Sequence, residues 1–496
     1  MENKNGMGLT TQETIDLAMG INPGPRQATS AAIKTGLTGS ATTAGGYLYG
    51  YPLEAPAKKL YFIEDALRRR IPRKVNEQGG VAAHWKVITA INASSVKAGV
   101  AEGAVATALT PTTAEKSQSY RTLNQYNTYT DEARFFGRKF EDIPQLGMLM
   151  TLQSLMIQED RYLLGGSDVT INKPTTVTGA DSGTATVSGM STQTYYVWVS
   201  ALTLHGYLNG ATGHASTDAT DETDATAISG GVSMTSGHSM TVTVTDVPGA
   251  AAYNVYIAAT NSIAAAYYQG TYTTNLITVK KLIASGNVPN TSDATADQYG
   301  YEGILQQLVA LTGTAGSTGS YGTKTAYYLD NAGVAPTADG AGGCVEVETA
   351  IQNIWNKYRV SPTVFIVNSQ EGKSLKKLTI GSSSSNAVRV TINEDSKNKF
   401  VAGSAVDTYW NPYTQQLMEI VTSVHCPPGK LFLLGESVPY PNAETPNNFE
   451  VDLQQEYYGE MFARTIRQTP VGVTCIGALK VYLPGACGIL ANLAAA

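Results

Sequence analysis

The chain has 496 residues, of which 42% are hydrophobic and 15% are charged, and its net charge is −6. The length predicts two to four folding units. The charged fraction is well below the roughly 25% of an average soluble protein, which favours a surface that largely meets other protein. The sequence has no strong basic excess, no run of ~18 apolar residues that could span a membrane and no secretory signal. We therefore expect a soluble protein that is made inside a cell and is not a dedicated nucleic-acid binder.

The first segments favour extended structure that needs a partner. Residues 1–50 are rich in Gly, Ala, Thr and Ser, and such a segment cannot bury enough apolar surface to order alone. Residues 81–130 alternate apolar and polar side chains, as in HWKVITAIN and SYRTLNQYNTYT, which is the period of β-strands. We expect these runs to form a long two-stranded ribbon with a flexible tip. Because an isolated hairpin is marginal in water, we expect the ribbon to lie on a neighbouring chain.

Residues 131–164 predict helix, because apolar side chains recur at three- and four-residue steps. Pro144 and Gly147 are expected to kink the helix or to split it in two. The two glycines that begin at Gly165 are expected to end it.

The composition then changes abruptly, since residues 167–292 hold three basic and seven acidic side chains. The runs TYYVWVSALT, SMTVTVTD, AAYNVYIAA, YYQGTYTT and LITVKKL are separated by turn residues, which predicts a β-sandwich. The stretch VTVTDVPGAAAYNVYIAAT, with Tyr253, Val255 and Tyr256 after a Pro-Gly turn, resembles a fibronectin type III or immunoglobulin-like module. The surrounding chain should tolerate such an insertion where the chain enters and leaves it at neighbouring points.

Helix and strand signals alternate again after residue 298. GYEGILQQLVALTG predicts a short amphipathic helix. VEVETAIQNIWNKYRV predicts a second, with Val347, Ile351, Ile354 and Tyr358 on one face. SPTVFIVNSQEGKSLKKL predicts a strand followed by a helix. MEIVTSVHCPPGKLFLLGE predicts two strands around a turn, and ARTIRQTPVGVTCIGALKVYLPGACGIL predicts two more.

The order of these elements resembles the Hong Kong 97-type fold of tailed-phage major capsid proteins. IQEDRYLLGG, PTVFIVNSQEGKSL, VTSVHCPPGKLFLLGE and the final Arg-Thr…Gly…Gly-Leu run carry the resemblance. The implied fold class is α+β, a phage capsid fold interrupted by an inserted all-β immunoglobulin-like sandwich. The implied boundaries are 1–75 for an N-terminal arm, 76–130 for an extended loop, 131–166 for the spine helix and the start of the peripheral domain, 167–292 for the sandwich, 293–462 for the peripheral and axial α/β domain, and 463–496 for the C-terminal strands.

The resemblance implies a major capsid protein that assembles itself into an icosahedral head around the phage genome, with the sandwich on the outer surface. The implied partners are many copies of the same chain in hexamers and pentamers, scaffolding, portal and decoration proteins, and double-stranded DNA held by weak, non-specific contact. No membrane partner is expected, and the implied location is the virion capsid after assembly in the host cytoplasm. Two alternatives stay open, which are an encapsulin-like compartment shell protein and a cell-surface adhesin or binding module.

Seven residues are candidates for contacts between subunits. These are Arg68, Arg69, Arg70, Arg73, Lys74, Lys97 and Glu102. The basic cluster before the extended loop has three open interpretations: ion pairs with a neighbouring subunit, a solvated charged face, or contact with packaged DNA. Some relatives form a Lys–Asn cross-link between chains, but no spacing around Lys97 or Asn411 supports such a pair.

No catalytic, cofactor-binding or metal-binding residue is predicted, and we expect a protein that is not an enzyme. The five histidines fit no metal-binding spacing, and the adjacent His425 and Cys426 would point to opposite faces of a strand. The four cysteines form no CxxC pair, so we expect buried free thiols. The acidic run that contains Asp218, Asp221 and Glu222 lacks a Gly-centred calcium loop, so we expect a solvated acidic loop.

Overall fold

The computed structural model describes residues 65–75, 79–90, 99–106, 112–137, 142–166, 170–185, 190–215, 218, 221–295, 300–309, 320–321, 326–340, 343–381, 408–437, 447–464 and 467–495. All of them belong to one compact unit, residues 62–496. Residues 1–64 of the predicted arm (1–75) and Lys97 lie outside the described residues.

The strands are β1 (Arg73–Val75), β2 (Ala82–Ala90), β3 (Thr112–Ser119), β4 (Arg121–Thr130), β5 (Val177–Ala185), β6 (Gln193–Leu202), β7 (Thr226–Ala227), β8 (Val232–Met234), β9 (His238–Val244), β10 (Ala252–Ala258), β11 (Tyr267–Tyr272), β12 (Leu276–Val279), β13 (Ser320–Tyr321), β14 (Tyr327–Asp330), β15 (Val364–Val367), β16 (Thr408–Trp410), β17 (Leu417–Thr422), β18 (Leu431–Leu434), β19 (Phe449–Met461), β20 (Gln468–Val481) and β21 (Gly488–Ala491). The helices are α1 (Asp131–Gly137), α2 (Ile143–Leu164), α3 (Leu204–Asn209), α4 (Ile304–Leu308), α5 (Val345–Tyr358) and α6 (Ser369–Gly381). Short 3-10 helices span Ile263–Ala265 and Pro484–Ala486.

A four-stranded sheet in the order β1-β19-β20-β4 carries the long helix α2 on one face. The predicted helix is split as expected, because α1 ends at Gly137 and α2 starts at Ile143 with Pro144 in its first turn. A proline fits the first turn of a helix, where its missing N–H leaves no hydrogen bond unmade. The helix ends at Leu164, and Gly165 caps it, as the sequence predicts.

The two-stranded ribbon pairs β2 with β3 in antiparallel register. The sequence-based prediction had included SYRTLNQYNTYT in the ribbon, and this was wrong, because residues Arg121–Thr130 form β4 and pair with β20. The base of the ribbon packs on its own chain. Ala83, Trp85 and Val87 are buried against Ala478 of β20, and Trp85 Nε1 donates to the carbonyl of Val481 at 2.9 Å.

A seven-stranded mixed sheet in the order β13-β14-β21-β18-β15-β17-β16 forms the second layer of the unit. Helix α5 buries the predicted face of Val347, Ile351, Ile354 and Tyr358. Val347, Ile351 and Ile354 share a hydrophobic cluster with Phe365, Val367 and Leu433 of the sheet, whereas Tyr358 packs with Leu483 and Ala486. The predicted strand and helix in SPTVFIVNSQEGKSLKKL are confirmed as β15 and α6.

Residues 177–279 form two antiparallel sheets that share one hydrophobic cluster. One has the order β12-β9-β5, and the other has the order β11-β10-β6-β7, with β8 also paired to β6. The strand runs predicted from the sequence are confirmed as β6, β9, β10, β11 and β12. The first two strands lie in different sheets, whereas the first two strands of an immunoglobulin domain share one sheet. We refer to this part of the chain as the sandwich.

The chain enters and leaves the sandwich at neighbouring points. Gly166, which follows α2, donates its N–H to the side chain of Gln306 in α4 at 2.8 Å. A side chain at Gly166 would clash with the carbonyl of Tyr301. The close approach of the two backbones explains why the rest of the fold can accommodate the intervening residues.

The two final strands join different sheets. Strand β20 pairs with β4 and β19, whereas β21 pairs with β14 and β18 in the seven-stranded sheet. The C-terminal segment thus holds the two layers together. All four cysteines are buried and free, as predicted.

The indole of Trp85 should fix the base of the ribbon. Replacing it (Trp85→Ala) removes a buried side chain and a hydrogen bond, and such changes cost about 3–5 kcal/mol of unfolding free energy. Urea denaturation of the purified protein would measure the loss. The matched control is Val105→Ala at the ribbon tip, where Val105 is 94% exposed, and this change should stay within about 0.5 kcal/mol. Equal effects of the two substitutions would contradict the assignment of a fixed base.

Candidate functional site

Two adjacent carboxylates, Glu159 and Asp160, lie fully buried in the last two turns of α2. A carboxylate that leaves water without a partner costs several kcal/mol. Helix dipoles also disfavour acidic groups near the C-terminal end. Both acidic groups therefore need cationic or donor partners from other parts of the chain.

Glu159 receives two guanidinium groups and a phenol. Arg68 Nε donates to Glu159 at 3.1 Å, and Arg73 forms a second ion pair with the same carboxylate. The hydroxyl of Tyr457 on β19 donates to Glu159 and accepts from Arg68 at 2.9 Å and from Arg73 at 3.1 Å. Both guanidinium groups also lie over the Tyr457 ring, 5.1 and 4.9 Å from its centroid. Burial, reinforced by the charge of Glu159, raises the pKa of Tyr457, so the phenol stays a donor.

Asp160 fixes two further segments. Its Oδ1 accepts from the backbone N–H groups of Leu67 and Arg68 at 2.9 and 2.8 Å. Its Oδ2 lies 2.7 Å from Nδ1 of His425. The turn at residues 66–70 is thereby attached to α2, and Leu67 and Ile71 are placed in the main hydrophobic cluster. We call Arg68, Arg73, Glu159, Asp160, His425 and Tyr457 the α2 charge cluster.

The structure brings four of the seven predicted contact residues into ion pairs of their own chain. Besides Arg68 and Arg73, Arg69 lies 2.6 Å from Asp65, and Arg70 pairs with Glu436 at 3.2 Å and with Glu419. Lys74 and Glu102 are exposed. The contact of these residues with a neighbouring subunit stays a prediction.

Sequence reasoning missed the partners of the arginines. The available signal was the acidic pair in MLMTLQSLMIQED, since two carboxylates interrupt an otherwise apolar helix near its C-terminal end. The prediction of a solvated acidic loop was wrong for two residues. Asp221 and Glu222 are buried, and Glu222 accepts from the backbone N–H of Gly213 at 2.8 Å and from the hydroxyls of Ser200 and Tyr256.

The buried thiols contribute to packing and are not reactive groups. Burial raises the pKa of Cys344, Cys475 and Cys487 to about 12, so these thiols stay protonated near neutral pH. His425 binds Asp160, whereas the Sγ of Cys426 lies 3.5 Å from the carbonyl oxygen of Lys430. The two side chains therefore have separate partners, in agreement with the sequence-based interpretation, although they lie in a turn and not in a strand.

Within the described ranges, no three His, Cys, Asp or Glu side chains come together in an arrangement that could hold a metal ion. Among the helices of the described part of the chain, none combines the length and the hydropathy of a transmembrane span.

The ribbon tip differs from the α2 charge cluster, because it is exposed and carries almost no charge. Every one of residues 99–106 is exposed, and the side chains are small or apolar apart from Glu102. A second exposed apolar surface lies at one end of the four-stranded sheet. Its members are Tyr126, Phe135, Phe136, Met148, Leu149, Met461 and Phe462. Exposed apolar groups gathered in this way mark contact surfaces in soluble proteins.

Solved structures similar to this chain include capsid particles. "Capsid of native GTA particle computed with C5 symmetry" aligns with 92% of this chain and 98% of its own, at 8% identity and a TM-score of 0.41. "The capsid of Myoviridae Phage XM1" covers 90% of this chain and 100% of its own, at 9% identity and a TM-score of 0.36. "Mycobacterium phage Ogopogo" covers 86% and 92%, at 10% identity and a TM-score of 0.34. No protein-family model and no curated protein sequence matches the chain.

Removing the shared carboxylate should destabilise the subunit strongly. In Glu159→Gln, the partly buried Arg68 and Arg73 lose the carboxylate that they share, and Arg68 keeps only its pair with Asp65, which costs about 3–5 kcal/mol. Glu132→Gln is the control, because its ion pair with Arg467 is exposed and should contribute less than about 1 kcal/mol. Chemical denaturation of both variants gives the comparison. A loss in Glu159→Gln no larger than in the control would show that the cluster does not hold the segments together.

Proposed function

We propose that this chain is a shell-building subunit, namely a major capsid protein of the Hong Kong 97 type. Many copies would assemble as hexamers and pentamers into the icosahedral head that encloses a phage genome. In this proposal the ribbon is the extended loop, α2 is the spine helix, the four-stranded sheet belongs to the peripheral domain, and the seven-stranded sheet belongs to the axial domain. The proposed domain boundaries are those stated for the sequence.

The observation that carries the proposal is the contrast between the two ends of the ribbon, since its base is fixed and its tip is exposed. Its base is fixed by Trp85 and by the N–H of Ile88, which donates to the carbonyl of Tyr482 at 3.0 Å. Every residue of its tip, residues 99–106, is exposed. A ribbon that is anchored at one end and uncovered at the other can reach a neighbouring molecule and add its backbone hydrogen bonds there.

The composition supports the same function. Shell assembly uses large contacts of about 1,600 Å² or more in total, and such contacts are depleted in charge at their centres. The chain has 15% charged residues, and several of its arginines are already neutralised by carboxylates of the same chain. Fewer arginines are therefore left as unpaired charges at the contacts with neighbours.

We propose that the scaffolding, portal and decoration proteins of such a particle are further partners, and that packaged DNA touches the shell weakly. The intrachain ion pairs of Arg68, Arg70 and Arg73 favour this weak contact, because paired guanidinium groups attract phosphate less than free ones do. The role of Arg69, Lys74, Lys97 and Glu102 at a subunit contact is part of the proposal. Asn411 is no cross-link acceptor in this proposal, because its buried amide donates to Ser361 Oγ at 2.7 Å.

Replacing the ribbon tip should separate folding from assembly. A Gly-Ser segment in place of residues 99–106 should leave the unfolding midpoint of the soluble subunit unchanged and reduce the yield of closed particles at least tenfold. Electron microscopy and sedimentation velocity give the particle yield. A Gly-Ser replacement of residues 284–286, which are exposed shortly after the last strand of the sandwich, is the control and should assemble normally. Normal particles from the tip variant would refute the proposal.

We also propose that the sandwich is displayed on the outside of the particle, because its acidic, low-lysine composition gives no reason to face DNA. An epitope tag inserted after residue 285 should bind its antibody on intact particles as strongly as on dissociated ones. Antibody binding that requires dissociation of the particles would place the sandwich inside.

Nucleic acid in purified particles would favour the phage capsid, and an enzyme cargo would favour the encapsulin-like alternative.

A further inference from the structure

Lys430 is a buried cation that the α2 charge cluster does not use. It is 1% exposed and immediately precedes β18. Strand β18 pairs Leu431 with Leu490, and the next residue of β21, Ala491, pairs with Asp330 of β14. The register therefore places Lys430 and Asp330 on either side of a small alanine, so that the lysine can extend toward the carboxylate.

The second carboxylate of this site comes from the sandwich. Asp246 belongs to the turn motif DVPG between β9 and β10 and is 8% exposed. Its Oδ2 accepts from the hydroxyl of Tyr328 on β14 at 2.6 Å. Its Oδ1 accepts from the Asn492 amide at 2.6 Å, and the same amide donates to Asp330 at 2.8 Å.

Burial makes these charges depend on each other. It lowers the pKa of Lys430, and the charges of Asp246 and Asp330 counteract that change. It also raises the pKa of Asp246, and Lys430 counteracts that change. Lys430 and Asp246 thus stabilise each other's charge across the boundary between the sandwich and the sheet, and Asp330 adds to this effect from the sheet itself.

The backbone contacts at the same boundary are equally close. Gly429, at φ +79°, has no room for a Cβ, which would lie 3.0 Å from the carbonyl of Thr273 in the sandwich. On the other side, Asn275 of the sandwich donates to Asp330 at 3.3 Å. The backbones of the sandwich and of the seven-stranded sheet are therefore in close contact beside the buried charges.

We infer that the sandwich is an integral part of the subunit and not a detachable decoration, because it supplies Asp246 as the counter-charge for the lysine that the seven-stranded sheet buries. The two parts then unfold together. This inference concerns the subunit alone and stands whether or not the chain forms a shell.

A double-mutant cycle on the full chain tests the inference. Asp246→Asn should lower the melting temperature by at least about 4 °C, because the change leaves Lys430 without one of its two counter-charges. Asp224→Asn is the control, since Asp224 lies in the same sandwich and its ion pair with Lys173 is half-exposed; its effect should stay within about 1 °C. Lys430→Met combined with Asp246→Asn should lose clearly less than the sum of the two single changes.

Calorimetry of the unaltered chain gives the second measurement, and a single transition that includes the sandwich is expected. Two separate transitions, or additive effects in the cycle, would overturn the inference, as would an Asp246→Asn variant as stable as the control. If Asp246→Asn yields no folded protein, recovery of folding in the double variant supports the coupling, and failure to recover contradicts it.

Discussion

The buried carboxylates of Glu159 and Asp160 impose the constraint on which the rest of the subunit depends. Charges without exposed surface are tolerated only where donors and cations match them. Here the matching groups come from the turn before β1, from β19 and from the turn at His425. Apolar packing could accept many arrangements around α2, but few arrangements satisfy the six directional contacts described above to two adjacent acids. The cluster therefore selects one position for the turn at residues 66–70.

A subunit fixed in this way suits repeated assembly. Association must offset the freedom lost by the partners and by any segment that orders on binding. The base of the ribbon is already held by Trp85 on β20, so binding need not order it, and the exposed residues 99–106 are a described part of the ribbon that is left to make contacts. Its alanines and glycines carry little side-chain entropy and let two backbones approach closely. In the proposed function, the fixed base and the exposed tip are thus complementary parts of a ribbon that reaches a neighbouring subunit.

Local periodicity predicted which elements form and which faces they bury, but not which elements pair. The face of α5 and the strand runs of the sandwich follow from spacings of 3.6 and 2 residues. The pairing of β4 with β20 joins residues about 350 positions apart. No local pattern in either strand identifies the other strand as its partner. The buried acids were missed for a related reason. Glu222 and Glu159 look solvent-exposed in sequence, and only the hydroxyls and guanidinium groups brought to them by the fold make their burial tolerable.

The sandwich shows how an insertion becomes part of its host. Gly166 and Gln306 bring its two ends together, and such a junction by itself would allow the sandwich to swing. Asp246 removes that freedom, because it lies in the turn between β9 and β10 and accepts hydrogen bonds from Tyr328 of β14 and from Asn492, which follows β21. Two attachments at separate points define an orientation, whereas one defines only a pivot. Any surface that the sandwich presents is therefore held in a set direction relative to the sheet, and in an assembly of identical subunits that direction would repeat with the symmetry of the particle.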